Sequence, residues 1–188
     1  MKNIFKDIKL PFFVLLAFFA FSLWLGFASG MNHPKEARML FDKLFATFSS
    51  LKEVNIIAMF FFIFLNNTLK SFAVVLLGTF FGIVPMVFVA VNGMLIGVMS
   101  AVVLAEHGSG YLFAGTIPHG ILEVPAFLIA SSYGLQLGKR YYLKLKYKEP
   151  FKPFLAKVME KMIRHVVPLF AVASFIETFI TMTILRSL

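Results

Sequence analysis

The chain has 188 residues, of which 60% are hydrophobic and only 14% are charged. A soluble domain of this length cannot bury so much apolar surface, so the composition indicates an integral membrane protein. The chain has no cysteine, which excludes disulfides and thiolate chemistry. Its net charge of +9 could indicate nucleic-acid binding, but we expect no nucleic acid partner, because membrane topology explains where the basic residues lie.

The first apolar run covers residues 10–29 and is long enough to cross a bilayer about 30 Å thick. A cleavable signal usually has a shorter apolar core of about 7–15 residues, so we interpret this run as a retained span. Three lysines precede it and predict a cytoplasmic N-terminus. Residues 36–51 then repeat apolar side chains at helical spacing. They predict an amphipathic helix, which either lies on the outer interface or packs on the bundle as a solvated helix.

A long apolar tract, residues 54–105, contains the next two spans. Its most polar patch includes Lys70, and a charged residue there predicts a return to the inner surface. The second span then covers residues 52–69, and the third covers residues 71–91.

The third span is too long for one crossing, because a straight helix from Ser71 to Ala105 would measure about 52 Å. Pro85 removes a helical hydrogen bond within it. We therefore expect a broken or re-entrant segment at residues 92–105, before a polar break at residues 106–113. Close helix packing is predicted at two spaced glycine pairs, Gly78-x-x-x-Gly82 and Gly93-x-x-x-Gly97.

The fourth span is predicted at residues 119–137, and it ends against the basic segment 138–164. That segment holds nine basic and two acidic residues, which predicts a cytoplasmic location. Residues 151–164 predict a second interfacial helix, on an anionic leaflet. Residues 166–185 form the last span, with the C-terminus outside. The whole chain, 1–188, is thus predicted to be one all-α membrane domain with five full spans plus the broken segment, and six spans is the alternative.

Several polar side chains fall within the predicted spans. A charged group in hydrocarbon costs at least about 2.5–3.5 kcal/mol, so such residues face the bundle interior and find partners there. We expect them to form one intramembrane polar site, composed of Asn66, Asn67, Asn92, His119, Glu123 and Glu177.

His119 and Glu123 are four residues apart and share one helix face, so the imidazole can hydrogen-bond to the carboxylate. Pro118 can open the helix at this point, and Pro125 loosens it after Glu123. Two interpretations stay open. The residues could form a structural clasp between helices, or they could bind a proton, an ion or a substrate at a broken helix.

Catalytic motifs are missing from the sequence. It contains no H-E-x-x-H and no G-x-x-x-x-G-K motif, and its two aspartates, Asp7 and Asp42, lie outside the predicted spans. A metal site built on His119 and Glu123 would need a third ligand such as Glu177. We therefore expect no catalytic residue, no metal and no cofactor.

The stretch PHGILEVPA, residues 118–126, resembles the stage II sporulation protein M family of small polytopic membrane proteins of bacteria and archaea. The Asn66-Asn67 pair, Gly78, and Asn92-Gly93 with Gly97 carry the same resemblance, which covers about residues 54–138. The resemblance implies a membrane scaffold, since the namesake in endospore formers looks like a holder of cell-wall hydrolases at the engulfing membrane. It supplies no catalytic residues.

These observations lead us to expect a non-enzymatic scaffold in the plasma membrane that is homo-oligomeric and recruits protein partners through its interfacial helices. The alternative is a transporter or channel for a small solute, ion or lipid, in which the intramembrane polar site lines the path.

Overall fold

A computed structural model describes residues 4–49 and 55–181, and it contains helices and no strands within that part of the chain. The predicted segments at 50–54 and 182–185 lie outside the described residues. The α-helices are α1 (Ile4–Asn32), α2 (Pro34–Ser49), α3 (Ile56–Leu77), α4 (Ile83–Tyr147), α5 (Lys152–Lys161) and α6 (Val167–Phe175), with π-helical turns at Met162–Val166 and Ile176–Thr181.

Within the described residues, five helical segments are long and apolar enough to cross a bilayer. They are Ile8–Asn32, Ile56–Leu77, Ile83–Pro118, Gly120–Tyr147 and Lys152–Thr181. Large apolar side chains such as Phe13, Trp24 and Phe80 are exposed on the outside of the bundle, as expected where the solvent is lipid. The predicted all-helical membrane bundle is confirmed.

Helix α4 reverses its direction at Gly108, where φ is 80° and ψ is 177°. Only glycine adopts this conformation without strain. The ring of Phe88 lies 6.0 Å from that of Phe127, so the first arm (residues 83–107) and the second arm (109–147) pack antiparallel. The reversal falls inside the polar break that the sequence shows at residues 106–113.

The predicted turn after Leu69 is wrong. Helix α3 continues unbroken to Leu77, and the turn comes at residues 78–82. The third span therefore begins at Ile83, and its first arm is helical as far as Gly108, without the break predicted at residues 92–105. The prediction placed the boundary at the charged residue Lys70, whereas the helix continues past it to Leu77.

The predicted separate helix at residues 151–164 is also wrong, because Lys152–Thr181 is one continuous helix. Pro168 lacks an N–H and its ring crowds the carbonyl of Arg164, which favours the wide turn at Met162–Val166. In that turn the N–H of Val167 reaches the carbonyl of Met162. Helix α2 covers most of the other predicted amphipathic segment and packs against α1 and α4.

Spaced glycines bring α1 against the first arm of α4. A methyl group at Gly97 would lie within 3.0 Å of backbone atoms of Leu23, Gly26 and Phe27, and one at Gly26 would lie within 2.8 Å of the Met94 backbone. The two helices run parallel and touch backbone to backbone, as predicted for this glycine pair.

A second glycine contact joins α3 to the second arm of α4. A methyl group at Gly78 would lie within 2.6 Å of the Gly134 backbone, and one at Gly138 within 2.6 Å of the Gly82 nitrogen and the Gly78 carbonyl oxygen. These helices are also parallel. The contact fixes their register, so that Gly78 lies level with Gly134.

Candidate intramembrane polar site

Three ionisable side chains of the membrane-spanning helices lie near enough to act on one another electrostatically: Lys70 of α3, Glu123 of the second arm of α4, and Glu177 of the π-helical turn at Ile176–Thr181. Glu123 interacts electrostatically with both Lys70 and Glu177. Both carboxylates are half-buried, whereas Lys70 is exposed at the bundle surface. The predicted site contains both glutamates but not Lys70, because the sequence predicts that residue at the membrane surface.

Helix register explains why Lys70 meets Glu123. With Gly78 level with Gly134, Lys70 lies level with Ala126, which is about 4.5 Å along the axis from Glu123. The Cα–Cβ bond of a helical residue tilts toward the N-terminus of its helix. The lysine side chain therefore leans toward the level of Glu123.

Glu177 reaches the same place from the opposite direction. The rings of Phe60 and Phe179 lie 6.5 Å apart, so these residues are at about the same level. Helix α3 is the second span and the last helix is the fifth, so the two run antiparallel. Glu177 then lies roughly 7 Å along the axis from Glu123. Because the two helices have opposite directions, their side chains lean toward each other.

Lys70 lies within an apolar segment rather than at its end. It lies about 10 Å before the end of α3 at Leu77. Beyond that end, Phe80, Phe81 and Ile83 are large, apolar and exposed. The carboxylate of Glu123 acts on Lys70 electrostatically.

Buried hydroxyls on the same helices lack hydrogen-bond partners within the part of the chain that the structure describes. They belong to Thr68, Ser131, Ser174, Thr178 and Thr181. Ser132 behaves differently, because its hydroxyl donates to the carbonyl of Leu128 at 2.7 Å. An unpaired buried hydroxyl costs about 1–3 kcal/mol. These five hydroxyls therefore place unpaired polar groups where α3, α4 and the last span pack together.

The other predicted members are placed as follows. Asn66 and Asn67 are half-buried on α3, beside Thr68. Asn92 lies on the first arm of α4, and its Nδ2 donates to the carbonyl of Phe88 at 2.7 Å, so it bonds to its own helix. The backbone of His119 is helical, but its side chain lies outside what the structure describes, so its bond with Glu123 stays a prediction.

The backbone at Glu177 is unusual. Residues Ile176–Thr181 form a π-helical turn, a rare geometry that occurs frequently at functional sites. Pro168 accounts for the π-helical turn at Met162–Val166, but no proline follows Pro168 in the sequence to account for this one. The irregular backbone thus coincides with an ionisable residue of the last span.

A separate charged cluster holds α2 against the reversal at Gly108. Arg38 donates from Nε to Asp42 at 3.1 Å and also pairs with Glu106. The hydrogen bond to Glu106, and after it the one to Asp42, raises the pKa of Arg38 above its usual value. All three side chains are at the surface, so this cluster fastens two elements and encloses no site.

Comparisons with known proteins extend the resemblance beyond the central region of the chain. The family model for stage II sporulation protein M matches residues 13–182. The uncharacterized protein MJ0793 of Methanocaldococcus jannaschii is 28% identical over 177 residues, which cover 92% of this chain and 94% of that protein. No solved structure matches the chain. Because the family match spans all the helices that carry the polar site, the chain belongs to the stage II sporulation protein M family.

Proposed function

We propose that this protein is a non-enzymatic membrane scaffold that recruits an acidic protein partner on a basic arm, defined as residues 138–161. The arm consists of the end of α4, the turn after Tyr147, and α5. The observation that carries the proposal is this cation-rich hairpin, whose two sides are joined by an ion pair and by a contact between aromatic rings.

The two sides of the basic arm are fastened together by specific contacts. Arg140 Nη1 lies 3.0 Å from Glu149 Oε2. The rings of Tyr141 and Phe151 meet edge to face at 5.5 Å, and Lys144 Nζ lies 5.2 Å from the centre of the Tyr141 ring. These contacts hold the cations of the arm in a fixed arrangement, which reduces the ordering cost of binding a partner.

The reach of the basic arm favours a protein over a lipid as its partner. The helix from Gly138 to Tyr147 extends about 15 Å, whereas the headgroup layer on one side of a bilayer is about 5–8 Å thick. We propose that Gly138 lies at the edge of the hydrocarbon layer, so that the tip of the arm lies in water. Lys146, Lys148 and Lys152 are exposed there, where an acidic protein surface can reach them.

We place the protein in the plasma membrane as a homo-oligomer, with its N-terminus and basic arm in the cytoplasm and its C-terminus outside. Support comes from the concentration of Lys and Arg in the N-terminal and arm segments, which an even number of spans separates. An oligomer would present several arms together and so strengthen the binding of a multivalent partner.

Site-directed photo-crosslinking in cells tests this function, with the photoreactive residue at Tyr147. We expect adducts with a defined protein, cross-linked within an acidic segment. The triple variant Lys146→Gln, Lys148→Gln, Lys152→Gln should abolish these adducts. The matched control carries Lys35→Gln and Lys43→Gln on α2 and should keep them. Adducts with lipid alone, or protein adducts that survive the triple variant, would contradict the proposal.

A further inference from the structure

We propose that the turn between α3 and α4, residues 78–82, is immersed in the lipid leaflet from which the basic arm emerges. The partner of this surface is a phospholipid layer: acyl chains contact the exposed apolar side chains of the turn, and headgroups contact the cations at the base of the arm. Immersion of the turn needs no protein partner, although it shares the level of Gly138 with the proposed function.

The side chains of the turn are unusual for a connection between two membrane spans. Phe80, Phe81 and Ile83 are each 60% exposed, and Thr79 is the only polar side chain of the stretch 78–83. Connections usually run through water and are rich in Gly, Pro, Asn, Asp and Ser. Large apolar side chains exposed side by side mark a surface that contacts lipid or protein instead.

The hydrogen bonds of the turn meet the requirement for backbone at membrane depth. Polar groups there must be paired within the protein, because the hydrocarbon layer offers no water. The hydroxyl of Thr79 donates to the carbonyl of Leu76 at 2.8 Å. Five backbone N–H groups donate to carbonyls of α3 or of the turn itself, and they belong to Gly78, Thr79, Phe80, Gly82 and Ile83. The turn can therefore enter hydrocarbon without leaving these donors unpaired.

The backbone of the turn is covered by the second arm of α4. Gly78 and Gly82 are buried. A methyl group at Gly138 would lie 2.5 Å from the nitrogen of Gly82 and 2.6 Å from the carbonyl oxygen of Gly78. Backbone that is not helical is tolerated at membrane depth where protein covers it. The glycine contact meets this condition, and it leaves the side chains of Phe80 and Phe81 exposed on the outside.

Phe81 has a backbone conformation that a turn in water would not favour for this residue. Its φ is 54°, in the left-handed region where glycine and asparagine are preferred and a bulky side chain is strained. Asparagine there would relieve the strain and would expose no apolar ring to water. Contact between the ring and acyl chains explains why a phenylalanine occupies a position that is both strained and exposed.

The second arm of α4 leads away from the turn with the polarity gradient of a membrane surface. Lys139 is exposed next to Gly138, and Tyr142 lies one helical turn beyond Gly138 on the same face, about 6 Å along the axis. Tyrosine is enriched at the level of the headgroups, and lysine there attracts anionic headgroups. Lys146 follows, with Nζ 5.8 Å from the centre of the Tyr142 ring. No acidic residue interrupts the stretch 138–148, so its charge is complementary to an anionic leaflet.

Tryptophan quenching in lipid vesicles tests the immersion. The full-length protein carries Trp24→Phe and one introduced tryptophan, either Phe81→Trp in the turn or Tyr147→Trp at the tip of the arm. The vesicles contain phosphatidylcholine brominated near the headgroup end of its acyl chains, and iodide on both sides of the membrane is the quencher in water. We expect brominated lipid to quench Phe81→Trp and iodide to quench Tyr147→Trp. If Phe81→Trp does not fold, Phe80→Trp replaces it.

Two results of this measurement would overturn the inference. Quenching of Phe81→Trp by iodide would place the turn in water, and protection from both quenchers would show that a protein surface covers it. Quenching of Tyr147→Trp by brominated lipid would contradict the water-exposed tip on which the proposed function depends, whereas lipid quenching of Phe81→Trp would still support immersion of the turn.

Asparagine substitutions give a second test, because the sign of their effect depends on the surroundings. Phe81 and Lys148 are the residues of the described chain, other than glycine, that have a positive φ, at 54° and 56°. Asparagine relieves backbone strain at both. In vesicles, Phe81→Asn should lower the thermal midpoint because its amide group would enter hydrocarbon. The matched control Lys148→Asn, at the tip of the arm, should raise the midpoint or leave it unchanged. A Phe81→Asn variant that melts no lower than Lys148→Asn would overturn the inference.

Discussion

Replacing Gly97 with alanine tests the closest helix contact of the fold. The added methyl group would lie within 3.0 Å of backbone atoms of Leu23, Gly26 and Phe27. Backbone atoms cannot turn aside as the end of a flexible side chain can. Helix α1 must therefore move away from the first arm of α4, which loosens the packing on both sides of the substituted residue.

The expected cost follows from two opposing effects. Overpacking of a tight interior typically costs about 1–3 kcal/mol, whereas alanine in place of glycine favours a helix by about 0.8–1 kcal/mol. Gly120→Ala is the matched control, because Gly120 also lies in a helical span but a methyl group there meets nothing within 4 Å. The difference in unfolding free energy between the two variants isolates the steric cost.

The assay is reversible unfolding in mixed micelles of increasing SDS fraction. It is followed by far-UV circular dichroism and by the fluorescence of Trp24, which is the one tryptophan of the sequence and lies on α1. We expect Gly97→Ala to unfold at a lower SDS fraction than Gly120→Ala. Gly26→Ala should lower the free energy of unfolding by less in the Gly97→Ala variant than in the wild type, because both changes separate the same two helices. Equal midpoints for Gly97→Ala and Gly120→Ala would refute the close approach.

Three further changes probe other parts of the bundle. Gly108→Ala should cost about 1–3 kcal/mol, seen as a lower thermal midpoint, because φ is 80° at the reversal of α4; an unchanged midpoint would contradict that geometry. Lys70→Met should destabilise more than the double variant Lys70→Met, Glu123→Gln, because the single change leaves a carboxylate without its cation. If the double variant melts no higher, the two side chains are not paired. In this cysteine-free chain, an impermeant maleimide should label Lys43→Cys and Lys148→Cys from opposite sides of the membrane, because three spans separate the two positions. Labelling of both positions from the same side would contradict this order of membrane crossings.

The fold class was predictable because it depends on the length and apolar content of the segments, which can be read directly from the sequence. Long apolar runs must become helices in a bilayer, whatever their neighbours. The glutamates were recognisable for the same reason, since a carboxylate in the middle of an apolar run must face the interior. Close helix packing at Gly93 and Gly97 was predictable too, because small residues four positions apart let another helix approach that face closely.

Lys70 shows where prediction from local sequence fails. Within its own segment a lysine after two asparagines resembles the end of a span, so the boundary was placed there. Glu123, on which Lys70 acts electrostatically, comes from a different helix, and the register between Gly78 and Gly134 sets how far apart the two lie along the helix axis. The π-helical turn at Glu177 was not predictable from sequence either, because no proline marks it.

The helix from Lys152 to Thr181 is continuous and about 45 Å long, so the α5 side of the basic arm and Glu177 belong to the same helix. No loop separates them, and the π-helical turn at Met162–Val166 is the irregular segment between them. A displacement of α5 by a bound partner would therefore be transmitted along the helix toward Glu177.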